Sequence, residues 1–193
     1  GSNYFNEIYE ESRRLREEVS RSGRFFMVMG RPINDRRLLD ASGGFLVHKV
    51  GLELKLIQLL KLGKHPVLYK AHPESAVYAH PLYKSECTVS SAPLEKIYFS
   101  ATCLIFTTAT STAFGFAMAT TIPIVLVEHK NNIWQEHVMR EVSRRCAIIR
   151  YSEDDRGSAL LSLDCLNQAL EEARQKSSDT GFLSELTQTQ RKN

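Results

Sequence analysis

Two short runs of this chain carry residue types that can grip a phosphate. Lys70-Ala71-His72-Pro73 sets an ammonium two positions from an imidazole. Pro73 holds its own φ and biases the preceding residue toward extended backbone, so the His72 ring is aimed rather than left to wander. Such a histidine can donate a hydrogen bond to a phosphate oxygen, or protonate a leaving phosphate if its pKa lies near neutrality. Thr107-Thr108-Ala109-Thr110-Ser111-Thr112 is a hydroxyl-rich run that leads into the small residues Ala113, Gly115, Ala117 and Ala119. A helix amino terminus exposes unpaired N–H groups and the positive end of its dipole. Thr110, Ser111 and Thr112 add hydroxyl donors there, which together suit a phosphate or diphosphate. Both runs also have an ordinary structural reading, as a turn histidine capping a carbonyl and as Ser/Thr helix caps.

Two further runs supply candidates at the same level. Ser90-Ser91-Ala92-Pro93-Leu94-Glu95 can meet a base or ribose through Ser90, Ser91 and the backbone, or can be a strand-to-helix turn with a capping serine. Gly30-Arg31-Pro32 offers Arg31, whose planar fork matches a phosphate, although an arginine beside a turn is ordinarily just solvated. His129 and His137 flank Trp134, a region that can face the cleft, and read first as surface and helix-packing residues; His48, near Lys49 and the glycine pair, ranks below the others. The chain has no G-x-G-x-x-G after its first apolar run, no glycine-lysine phosphate loop and no G-x-S-x-G elbow. No acidic pair follows a strand in the manner of a magnesium site, so no metal is expected.

The elements that must position these runs follow from the apolar pattern. Residues 4–20 are charged, with Ile8, Leu15 and Val19 spaced for one face of a helix. Residues 25–29 form a compact apolar run that ends at Gly30, the pattern of a buried strand opening into a loop. Ala41-Ser42-Gly43-Gly44 is read as a loop before a helix over residues 50–62. Further strands are expected at 65–70, 87–90, 103–107, 123–127 and 147–151. Helices are expected at 93–100, 111–119, 134–144 and from Gly157 to about Lys176, the last with Leu163, Leu166, Leu170 and Ala173 on one side. This alternation predicts an α/β fold, a Rossmann-like doubly wound parallel sheet of about six strands, with ligands beyond the carboxyl ends of the strands. The expected division is an amphipathic helix over 1–22 that can serve as an interdomain segment, the Rossmann-like nucleotide-donor domain over 23–176 and a flexible tail over 177–193.

Composition agrees with one α/β domain: 193 residues, 42% hydrophobic and 24% charged. A net charge of +3 is spread among acids rather than gathered into a block, so no nucleic-acid partner is expected. Cys87, Cys103, Cys146 and Cys165 stand far apart, without metal-ligand spacing, and read as reduced thiols of a cytosolic protein. No apolar run reaches the roughly 20 residues that cross a bilayer.

The motifs carry a family likeness. Lys70-Ala71-His72-Pro73, Ser90-Ser91-Ala92-Pro93-Leu94, residues 107–114 and Ile122-Pro123-Ile124-Val125 resemble the carboxyl-terminal half of GT-B glycosyltransferases of bacterial surface-polysaccharide synthesis. The nearest of these are capsule polymerases, sialyl- and polysialyltransferase-like enzymes and CDP-glycerol glycerophosphotransferases. The resemblance covers about residues 25–150. It implies a donor-binding domain in which His72, with Thr110, Ser111 and Thr112, grips the phosphate of a cytidine nucleotide. It also implies a CMP- or CDP-linked sugar as substrate rather than a cofactor, and a polysaccharide or lipid-linked acceptor. The acceptor would be brought by an amino-terminal domain outside this chain, at the inner face of a membrane. Thr108 stands where the glycerophosphotransferases commonly have an aspartate. A UDP-sugar 2-epimerase-like enzyme and a non-catalytic Rossmann-like assembly or regulatory module are the competing expectations.

Overall fold

The computed structural model describes residues 2–18, 25–32 and 43–177. In chain order the elements are α1 (Ser2–Glu18), β1 (Phe25–Met29), α2 (Gly43–Leu62), β2 (Val67–Lys70), α3 (Ala76–Tyr83), β3 (Thr88–Ser90), β4 (Ala101–Phe106), α4 (Thr112–Met118), β5 (Ile124–His129), α5 (Glu136–Arg145), β6 (Ala147–Glu153), β7 (Ala159–Leu160) and α6 (Leu163–Lys176). The strands form one seven-stranded sheet in the order β3-β2-β1-β4-β5-β6-β7, parallel throughout except for the antiparallel β6–β7 pair. The fold is therefore Rossmann-like. From β1 the chain builds outward to β3 and then crosses back to β4, so the strand order reverses between β1 and β4.

Alternation along the strands sorts side chains into two cores. Phe26, Val28, Val67, Tyr69, Ile105 and Val125 face one way and are covered by Leu52, Leu56, Ile57 and Leu60 of α2 and by Leu166, Leu170 and Ala173 of α6. Met27, Met29, Leu104, Phe106, Ile124 and Leu126 face the other way, under Phe114 and Met118 of α4, Val142 of α5 and the Leu94 and Tyr98 turns. With both faces covered, strands such as Phe25-Phe26-Met27-Val28-Met29 are apolar without a break. The carboxyl ends lie level: Met29 pairs with Lys70 and Phe106, and Lys70 pairs with Ser90. One row of residues thus marks the edge beyond which a ligand can sit.

Several local expectations change. Gly43 and Gly44 lie inside α2 rather than before it. The glycine penalty of about 1 kcal/mol each is offset where the rest of a helix buries an apolar face. Ala41 and Ser42 lie outside the described residues. The stretch at 93–100 is two single turns of 3-10 helix, Leu94–Lys96 and Tyr98–Ser100, broken at Ile97 with φ −130. The helix α3, between β2 and β3, was unexpected because Pro81 stands inside it. Residues 159–160 pair as β7 instead of opening the last helix, so the sheet has one strand more than expected and one antiparallel edge. The reversal is a turn in which Asp154 Oδ1 accepts from the N–H groups of Arg156 and Ser158, at 2.9 and 2.8 Å, with Gly157 at φ +75. The helix α6 then begins at Leu163, where the Ser162 hydroxyl accepts from Cys165 N at 3.2 Å.

The first helix is anchored on this domain. Ile8 and Ala119 are buried together with Phe5, Tyr9 and Phe116 around them. Ser12 is fully buried, and its Oγ accepts from Thr121 N at 2.9 Å and lies 3.0 Å from Thr121 Oγ1. Val19 lies outside the described residues, as does the tail at 178–193. The leucine stripe of α6 is buried on its own sheet. Among the described residues no helix is long and apolar enough to cross a membrane. Cys103 and Cys146 are buried, Cys87 is half-buried and Cys165 is exposed, all as free thiols.

Candidate functional site

The loop after β1 and the loop after β4 meet where the strand order reverses. Arg31 Nε donates to Thr107 Oγ1 at 2.9 Å, and Arg31 N donates to Glu53 Oε1 at 3.2 Å. Beneath this loop Glu53 is a wholly buried carboxyl on α2, at 1% exposure. Its Oε2 accepts from the hydroxyls of Tyr69, at 2.9 Å, and Tyr83, at 2.7 Å, whose rings stack 3.9 Å apart. Burial pushes the Glu53 pKa up, while the Tyr83, Tyr69 and Arg31 hydrogen bonds and the Arg31 charge pull it down. Desolvation lowers the Arg31 pKa, and the Glu53 charge opposes that shift. Gly30 is required here because a Cβ would overlap the Tyr69 hydroxyl.

A crevice of about 820 Å³ opens above this point, and its lining gathers most of the candidates: Arg31, Lys70, His72, Pro73, Ser91, Thr110, Ser111 and Thr112. Lys70 closes β2 and is buried at 5% exposure, with its ammonium donating to Ala71 O at 2.5 Å. Burial lowers its pKa from the ordinary 10.5, and the Glu95 charge works against that shift. The His72 Nδ1 accepts from Glu74 N at 3.3 Å, which places the proton of the neutral ring on Nε2. Ser75, one turn further on, donates from its hydroxyl to Arg31 O at 3.0 Å and ties the His72 loop to the Arg31 loop.

The hydroxyl run splits between roles. Ser111 is the cap of α4, its Oγ accepting from Phe114 N at 3.1 Å. Thr108 and Thr110 hydroxyls lie 2.9 Å from each other. Ser90 is outside the crevice lining, and its Oγ accepts from Ala92 N at 3.2 Å as in an ordinary turn. His137 is exposed on α5.

A second crevice, of about 870 Å³, adjoins the first beyond β5 and β6 and shares Arg31, Lys49, Thr108 and Thr110 with it. It brings together residues that sequence reasoning ranked low or passed over: His48, Glu128, His129, Trp134, Tyr151 and Glu153. Glu128 is buried at 3% exposure, and Trp134 Nε1 donates to its Oε2 at 2.6 Å. Arg150 Nη2 is 3.2 Å from Glu128 Oε1 without aiming an N–H at it. His48 Nδ1 lies 3.4 Å from Glu153 Oε1. His48, His129 and Trp134 were ranked low in the sequence, and the further signal it held was a carboxylate, Glu128, following the apolar run of β5.

The fold defines a Rossmann-like α/β domain, and the first crevice opens where its strand order reverses. No protein-family model matches the chain, and no curated protein matches it. Among the described residues no cluster of three or more His, Cys, Asp or Glu is arranged to hold a metal ion.

Proposed function

We propose that this chain binds the phosphate of a nucleotide-linked donor at the switch-point crevice, as the donor domain of a GT-B-type transferase that uses a CMP- or CDP-linked sugar or polyol. One observation carries the reading: two largely desolvated cations, Arg31 and Lys70, converge with His72 and the 110–112 loop on a single crevice. A buried ammonium hydrogen-bonded to a carbonyl is costly unless an anion offsets it. Lys70 supplies that charge, and Arg31 supplies the fork. The His72 Nε2–H donates to the departing phosphate oxygen, and the hydroxyls of Thr110 and Thr112 with the backbone N–H groups beside them complete the cradle. The transfer itself calls for a second domain to bring the polysaccharide or lipid-linked acceptor and the base that takes its proton.

Calorimetry with CMP, CDP and UDP tests the reading. The expected result is saturable binding of CMP and CDP that weakens about tenfold in His72→Ala and more in Lys70→Met, as for lost charge-assisted hydrogen bonds. Absence of binding, or binding indifferent to both substitutions, overturns it. Glu128 and Glu153 beside the adjoining crevice favour a second reading, a UDP-sugar 2-epimerase-like enzyme. That reading expects UDP to bind more tightly than CMP or CDP.

A further inference from the structure

The second crevice does not stand apart from the first. Arg31 forms part of the wall of both, and its Nε and backbone N are held by Thr107 and Glu53. A guanidinium held through its Nε and lining both crevices fits a group that lies on the divide between them. A phosphate on that divide would have a crevice on each side for its two substituents.

The two sides differ in chemistry. The walls of the first crevice include Met29, Pro73, Pro93, Leu94 and Phe106, apolar surfaces suited to a flat base. The second is lined by directional polar groups beside an indole. The His129 Nδ1 accepts from Asn131 N at 3.2 Å, so the neutral ring carries its proton on Nε2 as a donor. His129 packs edge-on to Tyr151 at 5.4 Å, across the β5–β6 register that pairs them. Glu153 adds an acceptor on the same strand, and Glu128 fixes the Trp134 indole through its N–H. Hydroxyl groups need a donor and an acceptor at each position, and their carbon skeleton needs an apolar wall.

From this we infer that the second crevice is the binding site for a polyhydroxyl group, glycosyl or alditol, attached to the phosphate that Arg31 holds. The inference rests on the reading of the first crevice as a phosphate site. It assigns sides: the nucleoside lies toward Pro73 and Pro93, and the sugar or polyol lies toward Trp134, His129 and Tyr151.

Trp134 is the chain's single tryptophan and part of the wall of this crevice, so its emission responds to a ligand there. The test titrates the whole chain with CMP, with CMP-N-acetylneuraminate, CDP-glycerol and UDP-N-acetylglucosamine, following both calorimetric affinity and Trp134 fluorescence. At least one of the three linked donors is expected to shift the emission and to bind about tenfold more tightly than its parent nucleotide, while CMP alone leaves the emission unchanged. His129→Ala and, independently, Tyr151→Phe should remove that gain and leave CMP affinity as in the wild type. Nucleotide binding with no response of Trp134 to any linked donor overturns the inference and leaves the phosphate reading standing. An equal response to CMP alone also overturns it, by placing the nucleoside in the second crevice. Failure of every nucleotide to bind overturns the phosphate reading, and this inference with it.

Discussion

Arg31 and Thr107 are joined by a 2.9 Å hydrogen bond from Nε to the threonine hydroxyl, across the point where the strand order reverses. The bond engages the Nε of a guanidinium that lines both crevices. Arg31→Lys keeps a charge and loses the fork, and CMP affinity should fall about tenfold. Thr107→Val keeps the guanidinium and frees its orientation, for a loss of about threefold to fivefold by the worth of one neutral-acceptor hydrogen bond. Calorimetry of the two variants separates charge from orientation, and equal losses would contradict the positioning role of Thr107.

Lys70 makes ligand binding depend on pH. Burial holds its pKa below 10.5 in the free protein, and a bound phosphate favours the charged form and raises it again. Binding should therefore take up a proton between the free and bound values, and affinity should decline as pH rises through the depressed pKa. Calorimetry of CMP at a series of pH values below 10.5, in pairs of buffers of contrasting ionisation enthalpy, measures the uptake. Lys70→Met should abolish it.

Glu53 affects stability in the opposite sense from most carboxylates. Its folded pKa lies above the ordinary 4.5, chiefly through burial, so the folded chain holds the proton more tightly than the unfolded chain. The stability this contributes is fully present below the unfolded value and is lost as pH rises through the folded one. Glu53→Gln cannot ionise, so its Tm should rise relative to that of the wild type as pH increases from about 4.5. Glu53→Leu leaves the Tyr69 and Tyr83 hydroxyls and the Arg31 N–H without an acceptor and should cost about 3–5 kcal/mol in denaturant unfolding.

Gly30→Ala drives a methyl group into the Tyr69 ring, whose Cζ would lie 2.6 Å away. The stacked and buried Tyr69 cannot yield freely, so a destabilisation of about 1–3 kcal/mol is expected. Because the shift displaces the Arg31 loop, CMP affinity should fall in the same variant. A Gly30→Ala protein as stable as wild type would show that the loop accommodates a side chain.

Ser12→Ala removes the acceptor for a buried Thr121 N–H and should cost about 1–2 kcal/mol. The loss belongs to the docking of α1, so limited proteolysis within residues 2–18 should speed up before the sheet unfolds.

Some of this was legible locally. The unbroken apolar run at 25–29, the His-Pro pair after β2 and the serine and threonine run after β4 each announce themselves within a few residues, because strand patterning and turn chemistry are short-range. Helix α3 was not legible, since Pro81 argues against a helix that tertiary packing of Tyr83 and Ala79 sustains. Strand β7 was missed because two residues carry no periodicity, and only the Asp154 turn brings them back against β6. Glu53 was passed over as one polar residue in a leucine-rich helix.

By itself, then, the sequence determined an α/β domain of parallel strands and the chemical character of the loops at their carboxyl ends, because apolar periodicity and turn residues act over a few positions. Only the tertiary structure decided that Arg31 reaches Thr107, 76 positions on, and Glu53, 22 positions on. It alone opened a second crevice beside the first. Such pairings are set by strand order and by which faces the helices bury, and no local propensity encodes them.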